Sequence, residues 1–104
     1  MSDHIRLSII IVSFNTKELT LWGLRSVFDS LKSKPFGYEV IVVDNNSNDG
    51  SIGAIAKEFP LVNLIKNSKN RGYGAANNQA VREAKGELIL LLNSDIVVLD
   101  NAIE

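Results

Sequence analysis

The chain has 104 residues, a formal net charge of −1, 45% hydrophobic and 22% charged residues, which describes one modest globular domain and excludes a disordered tail. The near-zero charge excludes the basic face of a nucleic-acid binder. With no cysteine and His4 as the lone histidine, disulfide scaffolds, thiolate zinc sites, cysteine nucleophiles and histidine triads are excluded as well.

The first residues, Met1-Ser2-Asp3-His4-Ile5-Arg6, hold no signal-peptide core, and no apolar run reaches the roughly 20 residues that span a bilayer. The expected location is therefore the cytoplasm. Leu7 to Ser13 is β-branched and almost continuously apolar, as in a strand covered on both faces of a parallel sheet. Phe14-Asn15-Thr16 breaks it, and Asn15 with Glu18 has the spacing of a capping box. Leu21, Leu24, Phe28 and Leu31, with Trp22 and Val27 beside them, predict an amphipathic helix running to about Ser33, ended by Pro35 and Gly37.

Glu39 to Asp44 predicts a second strand, and Asn45-Asn46-Ser47-Asn48-Asp49-Gly50 a turn. Ile52, Ile55, Ala56 and Phe59 predict a short helix capped by Asp49 or Ser51 and stopped by Pro60. Val62 to Ile65 reads as a weaker strand nearer an edge. Asn67 to Gly74 is loop. Ala75, Ala76, Ala80, Val81 and Ala84 give a small-residue helix face, with Gly86 in the place of a C-cap glycine. Glu87 to Asn93 is the fourth and most apolar strand, ended by Asn93-Ser94-Asp95. The order β-α-β-α-β-α-β, with crossovers longer than ten residues, predicts an α/β fold with an open, mostly parallel sheet flanked by helices, in one domain over residues 1–104, and the common order for such a unit, 3-2-1-4, is the one expected.

Ligands of such sheets sit outside the carboxyl ends of the strands, where strand order reverses. Those ends are Asn15, Asp44 to Asn46, and Asn93 to Asp95. Six of the 11 asparagines (15, 45, 46, 48, 70 and 93) follow strands. Asparagine both donates and accepts, which suits a base or sugar edge; it is also an ordinary turn former. Asp44 ends an apolar run, so its carboxylate needs a donor, either a ligand or the amides of its own turn. Asp95 offers hard oxygen ligation to Mg²⁺ or Mn²⁺, with helix capping as the competing role. Arg71, followed by Gly72 and Gly74, can approach a diphosphate closely. The Gly72-Tyr73-Gly74 segment is a poor dinucleotide fingerprint, because it follows the third strand and its sixth position is Asn77. A P-loop has no glycines to rest on after the first strand.

Three segments together resemble a family 2 glycosyltransferase of the GT-A fold: Ser8 to Asn15, Val42 to Ser51, and Asn70 to Asn78 running on through Gly86 to Asp95. They cover nearly the whole chain. The resemblance implies a Rossmann-like nucleotide-binding half and a nucleotide-diphosphate-sugar donor, UDP- or dTDP-linked. It implies that Ser13, Asn15, Asp44 and Asn46 hold the nucleobase, with Asp44 accepting from a pyrimidine N3–H. It places Arg71 on base or phosphates and Asp95 on the divalent cation. Asn93-Ser94-Asp95 matches the family's DxD element with an amide in place of the first acid, as in a rhamnosyltransferase-like branch with a deoxysugar donor.

The implied reaction is inverting transfer to the hydroxyl of a glycan or lipid-linked acceptor, within polysaccharide biosynthesis, at the inner membrane face in a full-length enzyme. The family's base carboxylate lies beyond the metal acid, so it is expected past Glu104. This chain is then the donor-binding half, inactive alone. An apolar fourth strand at a sheet edge favours pairing of two copies. Two other readings stand: a nucleotide-sugar-binding module without transfer activity, and a structural domain whose asparagines only make turns. The related nucleotidylyltransferases carry a glycine-rich basic segment after the first strand, which is absent here.

Overall fold

A computed structural model of the chain describes residues 5–93. Candidate metal acid Asp95 and its neighbour Ser94, together with His4, Asp100 and Glu104, lie outside the described residues. The elements are β1 (Leu7–Ser13), α1 (Lys17–Leu31), β2 (Tyr38–Asp44), α2 (Ser51–Glu58), β3 (Asn63–Lys66), α3 (Tyr73–Glu83) and β4 (Leu88–Asn93). The four strands form one sheet of order β3-β2-β1-β4, parallel throughout. The predicted architecture and strand order are therefore those observed, with β3 on an edge.

Every residue of β1 is buried, as its unbroken apolar run requires of a central strand. Alternation sends its side chains to two cores. Ile9 and Ile11 pack with Leu21, Leu24, Val27 and Leu31 of α1 and with Val40 and Val42 of β2. Ile10 and Val12 pack with Ile41 and Val43 of β2 and with Ala76 and Ala80 of α3. The alanines let α3 lie close to the sheet. Phe28 stacks on Phe59 at 5.4 Å between centroids, joining α1 to the end of α2. Trp22, beside the predicted stripe, is 55% exposed, whereas Val27 is fully buried.

Two local expectations are corrected. Asn15 and Glu18 do not form a capping box: α1 starts at Lys17 after Thr16, which makes no side-chain cap bond, and Asn15 sits at φ 52° with its side chain turned to the β2 loop. Gly86 is not a C-cap. The chain leaves α3 at Ala84 in extended backbone (φ −70°, ψ 138°), and Gly86 has no positive φ. Glycine is needed there because a Cβ would lie 2.6 Å from the Ser8 backbone nitrogen.

Candidate functional site

The parallel register carries Ser13 beside Asp44 and Asn93 beside Val12, so the carboxyl ends of β1, β2 and β4 lie side by side. The ladder runs one step past the strands. Asn45 N–H donates to the Ser13 carbonyl at 2.8 Å and Asn67 N–H to the Asp44 carbonyl at 2.9 Å. Sequence-predicted residues Ser13, Asn15, Asp44, Asn46 and Arg71 all fall on this end of the sheet or on the loops that leave it.

The β1 and β2 turns are stitched together by reciprocal bonds. Asn15 N–H donates to Ser47 Oγ at 2.8 Å, and Asn48 N–H donates to Asn15 Oδ1 at 2.8 Å. The Ser47 N–H in turn donates to Asp44 Oδ2 at 2.8 Å. Asn15 (φ 52°) and Asn46 (φ 73°) take the left-handed backbone these turns need, a conformation that asparagine tolerates. Both are exposed at the rim.

Asp44 is fully buried. Its Oδ1 has no hydrogen-bond partner among the described residues. An unsatisfied oxygen in the interior costs about 1–3 kcal/mol, and more when charged. Half of this carboxylate thus holds its own turn and half is uncommitted. Ser13 is different: its hydroxyl is buried and shared with Thr20 Oγ1 at 3.0 Å and Thr16 Oγ1 at 3.3 Å, at the start of α1. Among the described residues, Asn77 Oδ1 is the other buried side-chain oxygen without a partner.

Two contributors do more than the sequence reading assigns them, a single helix cap for Asp49 and a strand-end asparagine for Asn45. Asp49 serves two helices at once: Oδ2 accepts from Lys17 N–H, opening α1, at 3.0 Å, and Oδ1 accepts from Ser51 N–H, opening α2, at 3.0 Å. Ser51 Oγ donates to Oδ1 as well. The Ser51 hydroxyl, together with these two amides, holds the Asp49 carboxyl below the usual range, against an opposing push from burial. Asp49→Ala should therefore cost about 1–2 kcal/mol, the value of lost N-terminal caps. Because the folded pKa is depressed, this contribution is full above the unfolded value near 4 and is lost as pH falls through the folded one. Thermal melts of the two proteins should converge as pH drops below about 4.

The second contributor is Asn45, 2% exposed, which reaches across to the loop before α3. Its Nδ2 donates to the Gly72 carbonyl at 3.2 Å, and its Oδ1 accepts from Arg71 N–H at 3.3 Å. That loop presents the exposed Arg71 side chain. An open depression of about 490 Å³ touches Asn15, Thr16, Lys17, Glu18, Leu19 and Asp49. It borders the site but includes neither Asp44 nor Arg71, and of its two acids, Glu18 and Asp49, the latter is already committed to two helices. Among the described residues, no three His, Cys, Asp or Glu side chains group to hold a metal ion.

Residues 8–104 match the family model described as Glycosyl transferase family 2. The chain belongs to that family. It is 34% identical over 93 residues to the uncharacterized glycosyltransferase YfnE of Bacillus subtilis, covering 86% of this chain and 23% of YfnE. It is 35% identical over 94 residues to the poly(ribitol-phosphate) beta-glucosyltransferase of Bacillus spizizenii, covering 86% of this chain and 15% of that enzyme.

Two solved structures share the fold. One is the mannosyltransferase PcManGT of Pyrobaculum calidifontis in complex with GDP-Man and Mn²⁺, with TM-score 0.75 and 27% identity over 90% of this chain and 28% of that one. The other is residues 1–349 of S. aureus TarS with UDP-GlcNAc, with TM-score 0.71 and 29% identity over 88% of this chain and 27% of that one. The family 2 chain thus spans between 15% and 28% of each of these relatives. Among its described residues no helix is long and apolar enough to cross a membrane.

Proposed function

We propose that this glycosyltransferase chain binds the nucleotide-diphosphate part of a sugar donor at the carboxyl ends of β1, β2 and β4. The observation that carries the reading is the buried Asp44 carboxylate with one oxygen uncommitted. A nucleobase N–H supplies the missing donor, and the exposed rim made by Asn15 and Asn46 walls the base, with the buried Ser13 hydroxyl bracing the turn behind them. Arg71 reaches the diphosphate from its glycine-flanked loop, where a bidentate guanidinium matches phosphate oxygens. The similarity to proteins solved with GDP-Man and with UDP-GlcNAc supports a donor of this class.

Asp95 is the proposed cation ligand. The donor chemistry fits, since the segment from Asn93 to Asp95 offers only oxygen, as Mg²⁺ or Mn²⁺ prefers. A bound divalent cation neutralises charge on the departing diphosphate. In the whole enzyme the sugar passes with inversion to an acceptor hydroxyl on a glycan or lipid-linked glycan, at the cytoplasmic face of the membrane. In that enzyme a carboxylate base takes the acceptor proton. Asn93, leading the metal element, favours a deoxysugar donor of the rhamnosyl type.

Calorimetry with UDP, dTDP and GDP, with and without Mn²⁺, tests this directly. Binding of one of them at least tenfold tighter with Mn²⁺, and insensitive to Mn²⁺ in Asp95→Ala, is expected. Binding that ignores the metal in the unsubstituted chain favours a plain nucleotide module, and no binding favours a structural domain.

Self-pairing through β4 belongs to the same proposal. Leu88, Ile89 and Leu91 are 55%, 43% and 47% exposed on an edge strand. Light scattering should show mass rising with concentration. A monomer at every concentration overturns the pairing.

A further inference from the structure

We propose that Asn45, Asn67 and Gln79 form an amide relay that fixes the loop backbone behind Arg71, making all three positioning residues for diphosphate binding. The inference rests on the nucleotide-sugar reading above and names what that reading leaves unexplained: how an exposed loop holds its arginine in place.

The relay is continuous. Asn45 Oδ1 accepts from Asn67 Nδ2 at 3.0 Å and from Arg71 N–H at 3.3 Å. Asn45 Nδ2 donates to the Gly72 carbonyl at 3.2 Å. Asn67 and Gln79 pair reciprocally, with Asn67 Nδ2 donating to Gln79 Oε1 at 3.0 Å and Gln79 Nε2 donating to Asn67 Oδ1 at 2.9 Å. Asn45 and Asn67 are 2% and 7% exposed. The relay thus ties the end of β2, the end of β3 and the second turn of α3 to one loop.

The loop backbone is held at Gly72, which sits at φ 84°, ψ 163°, a region open essentially to glycine. Its carbonyl receives the Asn45 amide and the Ala76 N–H, and its own N–H donates to Asn70 Oδ1 at 2.8 Å. Arg71, one residue before, spends its backbone N–H on Asn45 while its exposed guanidinium has no partner among the described residues. The backbone is fixed and the charge is left free, which is the arrangement that lowers the ordering cost of binding an anion.

The chemistry also requires an amide at position 45. It must accept twice and donate once. A carboxylate of the same shape accepts but sets an oxygen against the Gly72 carbonyl.

The experiment is a double-mutant cycle on the 104-residue chain, read by calorimetry with the tightest-binding of UDP, dTDP and GDP and with its parent nucleoside. Arg71→Ala is expected to lose at least tenfold in diphosphate affinity and less than twofold in nucleoside affinity. Asn45→Asp should show the same selective loss, and should add less than twofold in the Arg71→Ala background. Gln79→Leu, which breaks the outer pair and leaves Asn45 in place, should show the selective loss in weaker form, and it carries the test if Asn45→Asp does not fold.

Equal losses for nucleoside and diphosphate, or additive losses in the cycle, overturn the relay while leaving the nucleotide reading intact. Unsubstituted protein that binds none of the three diphosphates overturns that reading, and the relay with it.

Discussion

Gly86→Ala should lower the melting temperature by about 10–20 °C, the largest stability effect expected of a single methyl group in this chain. The new Cβ would stand 2.6 Å from Ser8 N, 2.6 Å from Ser8 Oγ and 2.8 Å from the Leu7 carbonyl carbon. Two of these atoms are backbone of β1, which is buried along its length and paired on both sides. The strand cannot retreat without disturbing two ladders. The Ser8 hydroxyl is equally fixed, donating to Glu39 Oε2 at 2.5 Å and accepting from Gly86 N–H at 2.8 Å.

Overpacking of this kind costs about 1–3 kcal/mol where neighbours can give, and more where they cannot. Each kcal/mol moves the midpoint of a domain this size by about 4–8 °C. Gly53→Ala is the control: it lies in α2, its Cβ meets nothing within 4 Å, and it should be neutral or stabilising by about 0.5–1 kcal/mol. Melting curves by circular dichroism compare the two. Equal midpoints would show that the contact at Gly86 relaxes freely.

What the sequence made legible follows from the range of the forces involved. Strand β1 announces itself because a central parallel strand must be apolar on both faces, and β3 reads as an edge because Asn63 and Lys66 are polar at its ends. Parallel pairing then follows from crossover length, and the strand order is the common one for such units. The site's position follows from order alone, since strand ends gather where order reverses.

The misreadings are all non-local. Asn15 and Glu18 have capping-box spacing, but Asn15 bonds residues 32 and 33 places away in the β2 turn, and that tertiary pairing outcompetes the local cap. Gly86 follows a helix and so looks like a C-cap, yet its constraint comes from Ser8, 78 residues earlier. Asn67 and Gln79 carry no motif at all. Their amides become meaningful once β3 and α3 bring them beside Asn45. Asp49 stands in sequence just before one helix, and the second helix it serves begins 32 residues upstream.

Asp44→Asn should cost at least tenfold, and up to about a hundredfold, in nucleotide affinity while leaving the melting temperature nearly unchanged. A hydrogen bond to a charged group contributes about 1.5–3 kcal/mol, and 1.4 kcal/mol is a factor of ten in Kd. The asparagine keeps an oxygen for the Ser47 N–H, which the carboxylate now accepts through Oδ2 at 2.8 Å, so the β2 turn survives. Its amide nitrogen then replaces the uncommitted Oδ1. A donor there faces the N–H of the base, and the acceptor that the base requires is gone.

Alanine separates the two halves of the carboxylate. Asp44→Ala strips the half-buried Ser47 N–H of its partner, so it should lower stability by about 1–3 kcal/mol as well as weaken binding. A residue that only held its turn would behave in the opposite way, with asparagine binding nucleotide like the parent chain and alanine losing stability alone. Calorimetry with the preferred nucleoside diphosphate, run beside thermal melts of the same three proteins, distinguishes these patterns. The decisive comparison is asparagine against aspartate, because the two side chains have one shape and differ in what they can accept.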